Sequence, residues 1–162
     1  MRMLSYSKSK ALLITLVWIS LFLGISYVIG LVTRANMDWY ATLQKSSLTP
    51  PDIAFPIVWS ILYILLAISG AILCLKPSTT KRRNALIIFT IYMLINWAWS
   101  FIFFDNQMIE LGFYWIITSQ IPLAAYIYMS YKTSKISSLL SVPTFIWASF
   151  AAYLNYIIMI MN

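Results

Sequence analysis

The chain has 162 residues, of which 62% are hydrophobic and 9% charged, with a mean hydropathy of +0.84 and a net charge of +7. A soluble domain carries about 25% charge and could not hide this much apolar surface, so the bilayer is the solvent the composition calls for. One cysteine, Cys74, excludes a disulfide within the chain; with no histidine and four scattered acids, the ingredients of a metal site or of a Ser-His-Asp or Cys-His hydrolase are missing.

Five apolar runs follow one another, and they predict an all-α integral membrane protein: a five-transmembrane-helix bundle forming one domain over residues 1–162. A basic tail, residues 1–10 with Arg2, Lys8 and Lys10, precedes the first run. That run, residues 11–32, is uncharged and long enough to cross a ~30 Å core at ~1.5 Å per residue. No small-residue cleavage site follows it, so it is expected to stay as a helix rather than leave as a signal peptide. Ser20/Gly24 and Ser26/Gly30 are small residues four apart. They either admit a neighbouring helix or reflect the ordinary tolerance of membrane helices for glycine.

Residues 33–52 form the first connector, with Arg34, Asp38, Lys45 and Asp52. A loop of about twenty residues is long for a compact domain, and such loops are often functional. Pro50 and Pro51 close it and fix an extended entry into the second run, 54–75. Pro56 sits in the first turn there, where its missing N–H costs nothing. A basic connector with Lys76, Lys81, Arg82 and Arg83 leads to the third run, 84–104. An acidic one with Asp105 and Glu110 leads to the fourth, 111–131, where Pro122 predicts a kink. Lys132 and Lys135 precede the fifth run, 139–161, with Pro143 in its early part.

Five spans place three, four and two Lys/Arg on the side of the N-terminal tail, nine of the eleven in the chain. The other side holds Arg34 and Lys45 with all four acids. This bias predicts a cytoplasmic N-terminus, a C-terminus outside and a first loop on the outer face. The basic residues therefore serve topology rather than nucleic acid.

No span contains a formal charge, which weighs against a proton-coupled carrier or a charged channel. Phe55, Trp59 and Tyr63 recur every four residues on one face of the second span. Asn96, Trp99, Ser100 and Phe103 share a face of the third, and Trp147, Phe150, Ala151, Leu154 and Asn155 a face of the fifth. An unpaired amide in an apolar run costs a few kcal/mol, so Asn96 and Asn155 each need a partner on another helix or on a ligand. Two readings stay open. The indoles anchor the membrane interface or pack helices, the role that suits Trp18, Trp97 and Trp115. Alternatively, Trp59, Trp99 and Trp147 wall an aromatic pocket for a large planar hydrophobic ligand, with residues 39–63 as lid and first wall.

Three segments carry a family resemblance. They are WY at 39–40 with Leu43, Lys45, PP at 50–51, Phe55, VW at 58–59 and LY at 62–63; INWAWSFIFF at 95–104; and PTFIWASFAAYLNYIIMIMN at 143–162. In this order they resemble the TspO/MBR family, the bacterial tryptophan-rich sensory proteins and the mitochondrial translocator protein. The resemblance implies a five-helix bundle, commonly a homodimer, acting as a receptor or sensor. Its ligands would be porphyrins such as protoporphyrin IX, haem-related tetrapyrroles and similar planar hydrophobic molecules. Porphyrin enters as ligand, with no required cofactor and no metal. No mitochondrial targeting segment stands out, so a bacterial inner membrane is the plainest location. The motif match puts Trp59, Asn96, Trp99, Ser100, Trp147 and Ala151 at the cavity, joined by Tyr63 on the face of Trp59. Trp39 and Tyr40 would form the lid, closed by Pro50 and Pro51, with Tyr40 also reaching the ligand.

Some bacterial relatives have tryptophans at the places of Trp59 and Trp147 implicated in light-dependent breakdown of protoporphyrin. A light- and oxygen-dependent porphyrin-degrading catalyst is therefore one alternative activity, and tetrapyrrole or sterol transport another. The chain also departs from the family pattern. Ser46 stands where relatives often carry Pro, and Leu48 and Ile53 where they often carry Trp. The lid is thus poorer in rigid and aromatic residues, and the loop is expected to decide ligand preference. No Lys or Arg follows Leu154 and Tyr156, so sterol recognition through the fifth-helix motif is not expected.

Overall fold

The computed structural model describes residues 7–162; Arg2, one of the tail's basic residues, lies outside the described residues. Six α-helices and one π-helical turn make up the regular structure there, with no strand among the described residues. The helices are α1 (Lys8–Ala35), α2 (Met37–Thr42), α3 (Ala54–Leu75), α4 (Thr80–Ser100), α5 (Ile109–Tyr131) and α6 (Lys135–Met161); the π-helical turn, Phe101–Asp105, continues α4. Four helices are long and apolar enough to cross a membrane: α1, α3, α4 with its π turn, and α6.

The helix ends explain why the helices outrun the apolar runs. Ser7, Thr79 and Ser134 each accept a backbone N–H of the first turn, from Lys10 (3.3 Å), Arg82 (3.1 Å) and Ser137 (3.3 Å). These caps start α1, α4 and α6 ahead of residues 11, 84 and 139, which draws Lys81, Arg82 and Arg83 into the first turn of α4. The connector expected over 33–52 is also partly helical. Asn36 ends α1 by donating from its amide to the carbonyl of Val32 (2.9 Å). The chain then turns straight into α2, so Trp39 and Tyr40 stand on a helical turn rather than on an extended loop. α5 and α6 run unbroken through Pro122 and Pro143.

Around the bundle the order is α1, α3, α6, α5, α4, each packed on the next, and the π turn reaches back to α1. Lipid tails are as apolar as leucine, so contact between helices gains little from the hydrophobic effect; close packing and interhelical hydrogen bonds hold such a bundle together. Both are concentrated away from the first loop. Gly70 of α3 takes the indole of Trp18 from α1 so closely that an added Cβ would lie 2.5 Å from the ring. Phe22 stacks on Phe89 at 6.0 Å, and Phe89 meets Tyr126 at 4.6 Å. Beside them a buried hydroxyl cluster ties three helices. Ser69 Oγ donates to the carbonyl of Ser137 (2.7 Å), pairs with the Tyr126 hydroxyl (2.6 Å) and reaches Ser141 Oγ (3.2 Å).

Gly24 and Gly30 have open space where a Cβ would stand, so within one chain their small size admits no neighbouring helix. The two kinds of glycine separate in one experiment. Gly70→Ala is expected to lower the thermal midpoint in detergent by the overpacking cost of roughly 1–3 kcal/mol. Gly24→Ala is expected to leave the midpoint unchanged or raise it.

Candidate ligand cavity

At the first-loop end the five long helices part around a cavity of about 610 Å³, a size typical of small-molecule sites. α3 supplies Phe55, Trp59 and Tyr63 from one face, and α4 supplies Asn96, Trp99 and Ser100. Ala151, Leu154 and Asn155 close it from α6, and Tyr40 of α2 covers it.

The polar groups of this wall are unequally committed. Asn96 Nδ2 donates to the Tyr63 hydroxyl (2.9 Å), and its Oδ1 accepts from the Tyr92 hydroxyl (3.4 Å). Asn96 is therefore a structural tie between α3 and α4. The indole N–H of Trp99 donates to the carbonyl of Gly112 on α5 (3.1 Å), which fixes the ring and leaves its face for packing. Asn155 is different. Its Nδ2 donates to the carbonyl of Ala151 (3.0 Å), but its Oδ1 is buried without a partner among the described residues. Ser100, which also lines the cavity, makes no side-chain hydrogen bond among the described residues. At the mouth stand Arg34, from the last turn of α1, and Asp52, before α3; neither is ion-paired among the described residues.

The π turn makes the roof. Its wider turn is closed by the N–H of Asn106 on the carbonyl of Phe101 (2.9 Å). One residue more per turn swings Phe103 and Phe104 side by side under the lid. Phe103 stacks on Trp99 at 5.0 Å and 12°. It sits so tightly over Gly112 that a Cβ there would approach within 2.8 Å. Trp39 meets Phe103 edge-on at 5.6 Å, and Tyr40 meets Phe104 at 5.5 Å. Lys45 Nζ donates to the carbonyl of Tyr40 (2.7 Å) and lies 4.5 Å above its ring. Burial, followed by the Asp52 carboxylate, pushes the Tyr40 phenol up to about 12, so the lid tyrosine stays neutral at physiological pH.

The loop beyond is tied to the end of α6. The N–H of Gln44 donates to Asn162 Oδ1 (2.9 Å), and Asn162 Nδ2 donates back to the carbonyl of Gln44 (3.0 Å). Ser46 Oγ and the Tyr153 hydroxyl lie 3.4 Å apart.

Among the residues singled out from sequence, the structure brings Tyr40, Trp59, Tyr63, Asn96, Trp99, Ser100 and Ala151 to one cavity. Trp39, Pro50, Pro51 and Trp147 are not on its lining. Trp39 packs on the outer side of Phe103 and Phe104, and Pro51 accepts the first N–H of α3, that of Ala54 (2.8 Å). Trp147 stands behind Phe55, whose ring it meets at 6.1 Å and 63°. On a helical wheel Trp147 is turned about 80° from Asn155, enough to bring α3 rather than the cavity to its ring. Sequence reasoning missed Tyr27, Gly30 and Arg34 of α1, Asp52, and Ile116 and Ser119 of α5. Arg34 and Asp52 carried a signal as the charges nearest the two ends of the first connector, residues 33–52. The α5 residues carried none.

The TspO/MBR family model matches residues 16–161. The chain belongs to the TspO/MBR family. It is 33% identical to the tryptophan-rich protein TspO of Chlorobaculum tepidum, over 95% of this chain and 99% of that one. It is 30% identical to the TspO of Bacillus cereus, over 86% and 90%, and 29% identical to the human translocator protein, over 83% and 79%. With its apolar helices, this makes the chain an integral, multi-pass membrane protein of the TspO/MBR family.

The side-chain clasp on Gln44 generates a prediction for the lid of this TspO/MBR protein. Asn162→Ala removes both hydrogen bonds, each worth about 1 kcal/mol net. Hydrogen exchange of residues 43–48 is then expected to speed up by roughly tenfold or more, with the helices unaffected. Unchanged exchange in that segment counts against the clasp.

Proposed function

We propose that this membrane protein binds porphyrins and similar planar hydrophobic molecules in the cavity beneath Tyr40. The observation that carries the reading is the pairing of two partly exposed indoles on one cavity, Trp59 and Trp99, with polar groups that have no partner among the described residues. A flat macrocycle gains stacking contact on the indoles. Asn155 Oδ1 would accept an N–H from its centre or edge, and Ser100 offers a hydroxyl. Arg34, at the mouth and without an ion pair among the described residues, suits the carboxylates that such macrocycles carry on their rim. Binding needs no cofactor or metal, and porphyrin is the ligand rather than a prosthetic group.

The reading includes five membrane crossings. α5, 23 residues long and packed on both α4 and α6, serves as the remaining span at about 35 Å. The charge asymmetry supports a cytoplasmic N-terminus and a cavity opening towards the outer face. We place the protein in a bacterial inner membrane, as a homodimer.

Titration of the purified protein with protoporphyrin IX, read as quenching of tryptophan fluorescence, tests the site. Trp59→Ala is expected to weaken binding by about thirtyfold, the loss typical of a central aromatic contact. Arg34→Gln is expected to weaken it about fivefold and to flatten its dependence on salt. Trp147→Phe, behind Phe55, is expected to leave the affinity close to that of the parent. Equal losses from Trp59→Ala and Trp147→Phe, or none from either, would overturn the assignment.

A further inference from the structure

A second concave site lies at the opposite end of the molecule. A groove of about 410 Å³ runs down the outside of α4. Ser78, Arg82 and Arg83 form its upper end, and Leu86, Ile87 and Ile91 form its floor. Arg83, Ile87 and Ile91 recur every four residues, so they make one stripe along the helix. Ile87 and Ile91 are 50% and 41% exposed, and Leu94, 59% exposed, lies one residue short of the next step in this spacing. From Arg83 to Leu94 the stripe covers about 16 Å of helix, the reach of a long stretch of acyl chain.

The two arginines differ in how they are held. Arg82 is anchored: its Nη1 donates to the carbonyls of Cys74 (3.2 Å) and Lys76 (2.6 Å), and its Nη2 lies 3.4 Å from Ser78 Oγ. These bonds satisfy carbonyls at the end of α3 and fix the guanidinium at the head of the groove. They use three of its five N–H donors, and the Nε–H is buried, which leaves one Nη2 hydrogen open to an anion. Arg83 is exposed, and its side chain has no hydrogen bond or ion pair among the described residues. Lys76 and Lys81, close to it in the chain, are also exposed. All four acids of the chain, at positions 38, 52, 105 and 110, belong to the other end, so nothing in the described residues neutralises this cluster.

A positioned guanidinium, a free one and an apolar channel leading away from both are complementary to one kind of molecule. We infer that this groove binds an anionic phospholipid, with its phosphate between Arg82 and Arg83 and one acyl chain along Ile87 and Ile91. The charged end matches the phosphate, which the Arg83 fork can hold through paired N–H groups and the remaining Nη2 hydrogen of Arg82 through one. The apolar floor commits the site to a lipid rather than a free anion, since inorganic phosphate has nothing to place on it. The site stands apart from the porphyrin cavity and does not depend on that reading.

The test uses the full-length protein, delipidated in a neutral detergent and offered phosphatidylglycerol or phosphatidylcholine of matched chains, with retained lipid counted by native mass spectrometry. Phosphatidylglycerol is expected to be retained in preference to phosphatidylcholine. Arg83→Gln is expected to lower that retention about fivefold, the effect of one basic residue at a membrane surface. Ile87→Gln, at the floor, is expected to lower it as well with the thermal midpoint unchanged. Lys135→Gln, a basic residue of the same end but outside the groove, is expected to leave it intact. Three results would overturn the inference: equal retention of the two lipids, equal loss in Lys135→Gln and Arg83→Gln, or displacement of bound lipid by millimolar inorganic phosphate.

Discussion

A bilayer offers no hydrogen-bond partner to a buried polar group, and each one left unpaired costs several kcal/mol. Much of the arrangement of this bundle follows from that constraint. Away from the first loop it produces the Ser69–Tyr126–Ser141 cluster, in which α3, α5 and α6 satisfy one another. In the middle it pairs Asn96 with Tyr63 and Tyr92. Beside the cavity it locks the Trp99 indole to the carbonyl of Gly112. These ties draw the helices together wherever they can close, and the cavity opens where they stop.

Of the buried polar atoms left without a partner among the described residues, Asn155 Oδ1 belongs to a residue of the cavity wall. Ser100 lines the same cavity without a side-chain hydrogen bond among the described residues, and Arg34 and Asp52 flank its mouth. The indole N–H groups of Trp97 and Trp147 are also buried without partners, away from the lining, and the packing around them offers no physical account of it. The roof follows a second constraint. A π turn can present Phe103 and Phe104 together only because Gly112 on α5 leaves room for the ring of Phe103, so the lid, α4 and α5 meet on one aromatic platform.

Much of this was legible in the sequence, because apolar length and helical spacing are local properties. The apolar runs became long helices, and the faces of the second and third runs became two walls of the cavity. The rest depended on which helix came to lie opposite which face. The stripe on the fifth run was read as one surface, yet it divides: Ala151, Leu154 and Asn155 face the cavity while Trp147 turns to Phe55. Arg34 was read as a loop charge because nothing local says that α1 continues to Ala35 and brings it to the mouth. Asn96 was expected to need a partner on another helix or on a ligand, but spacing along one chain cannot say that this partner is Tyr63 across the bundle. The caps at Thr79 and Ser134, which moved two helix starts, are one-residue signals outside the apolar runs.

The central claim is that the unmatched groups and the two indole faces form one site for a flat ligand. A structure of the protein bound to protoporphyrin IX tests it most directly. The account predicts the macrocycle against Trp59 and Trp99 beneath Tyr40, an N–H within hydrogen-bond distance of Asn155 Oδ1, and a carboxylate on Arg34. A macrocycle seated on the lipid-facing surface, or one inside the cavity that leaves Asn155 unpaired and contacts neither indole, would contradict it.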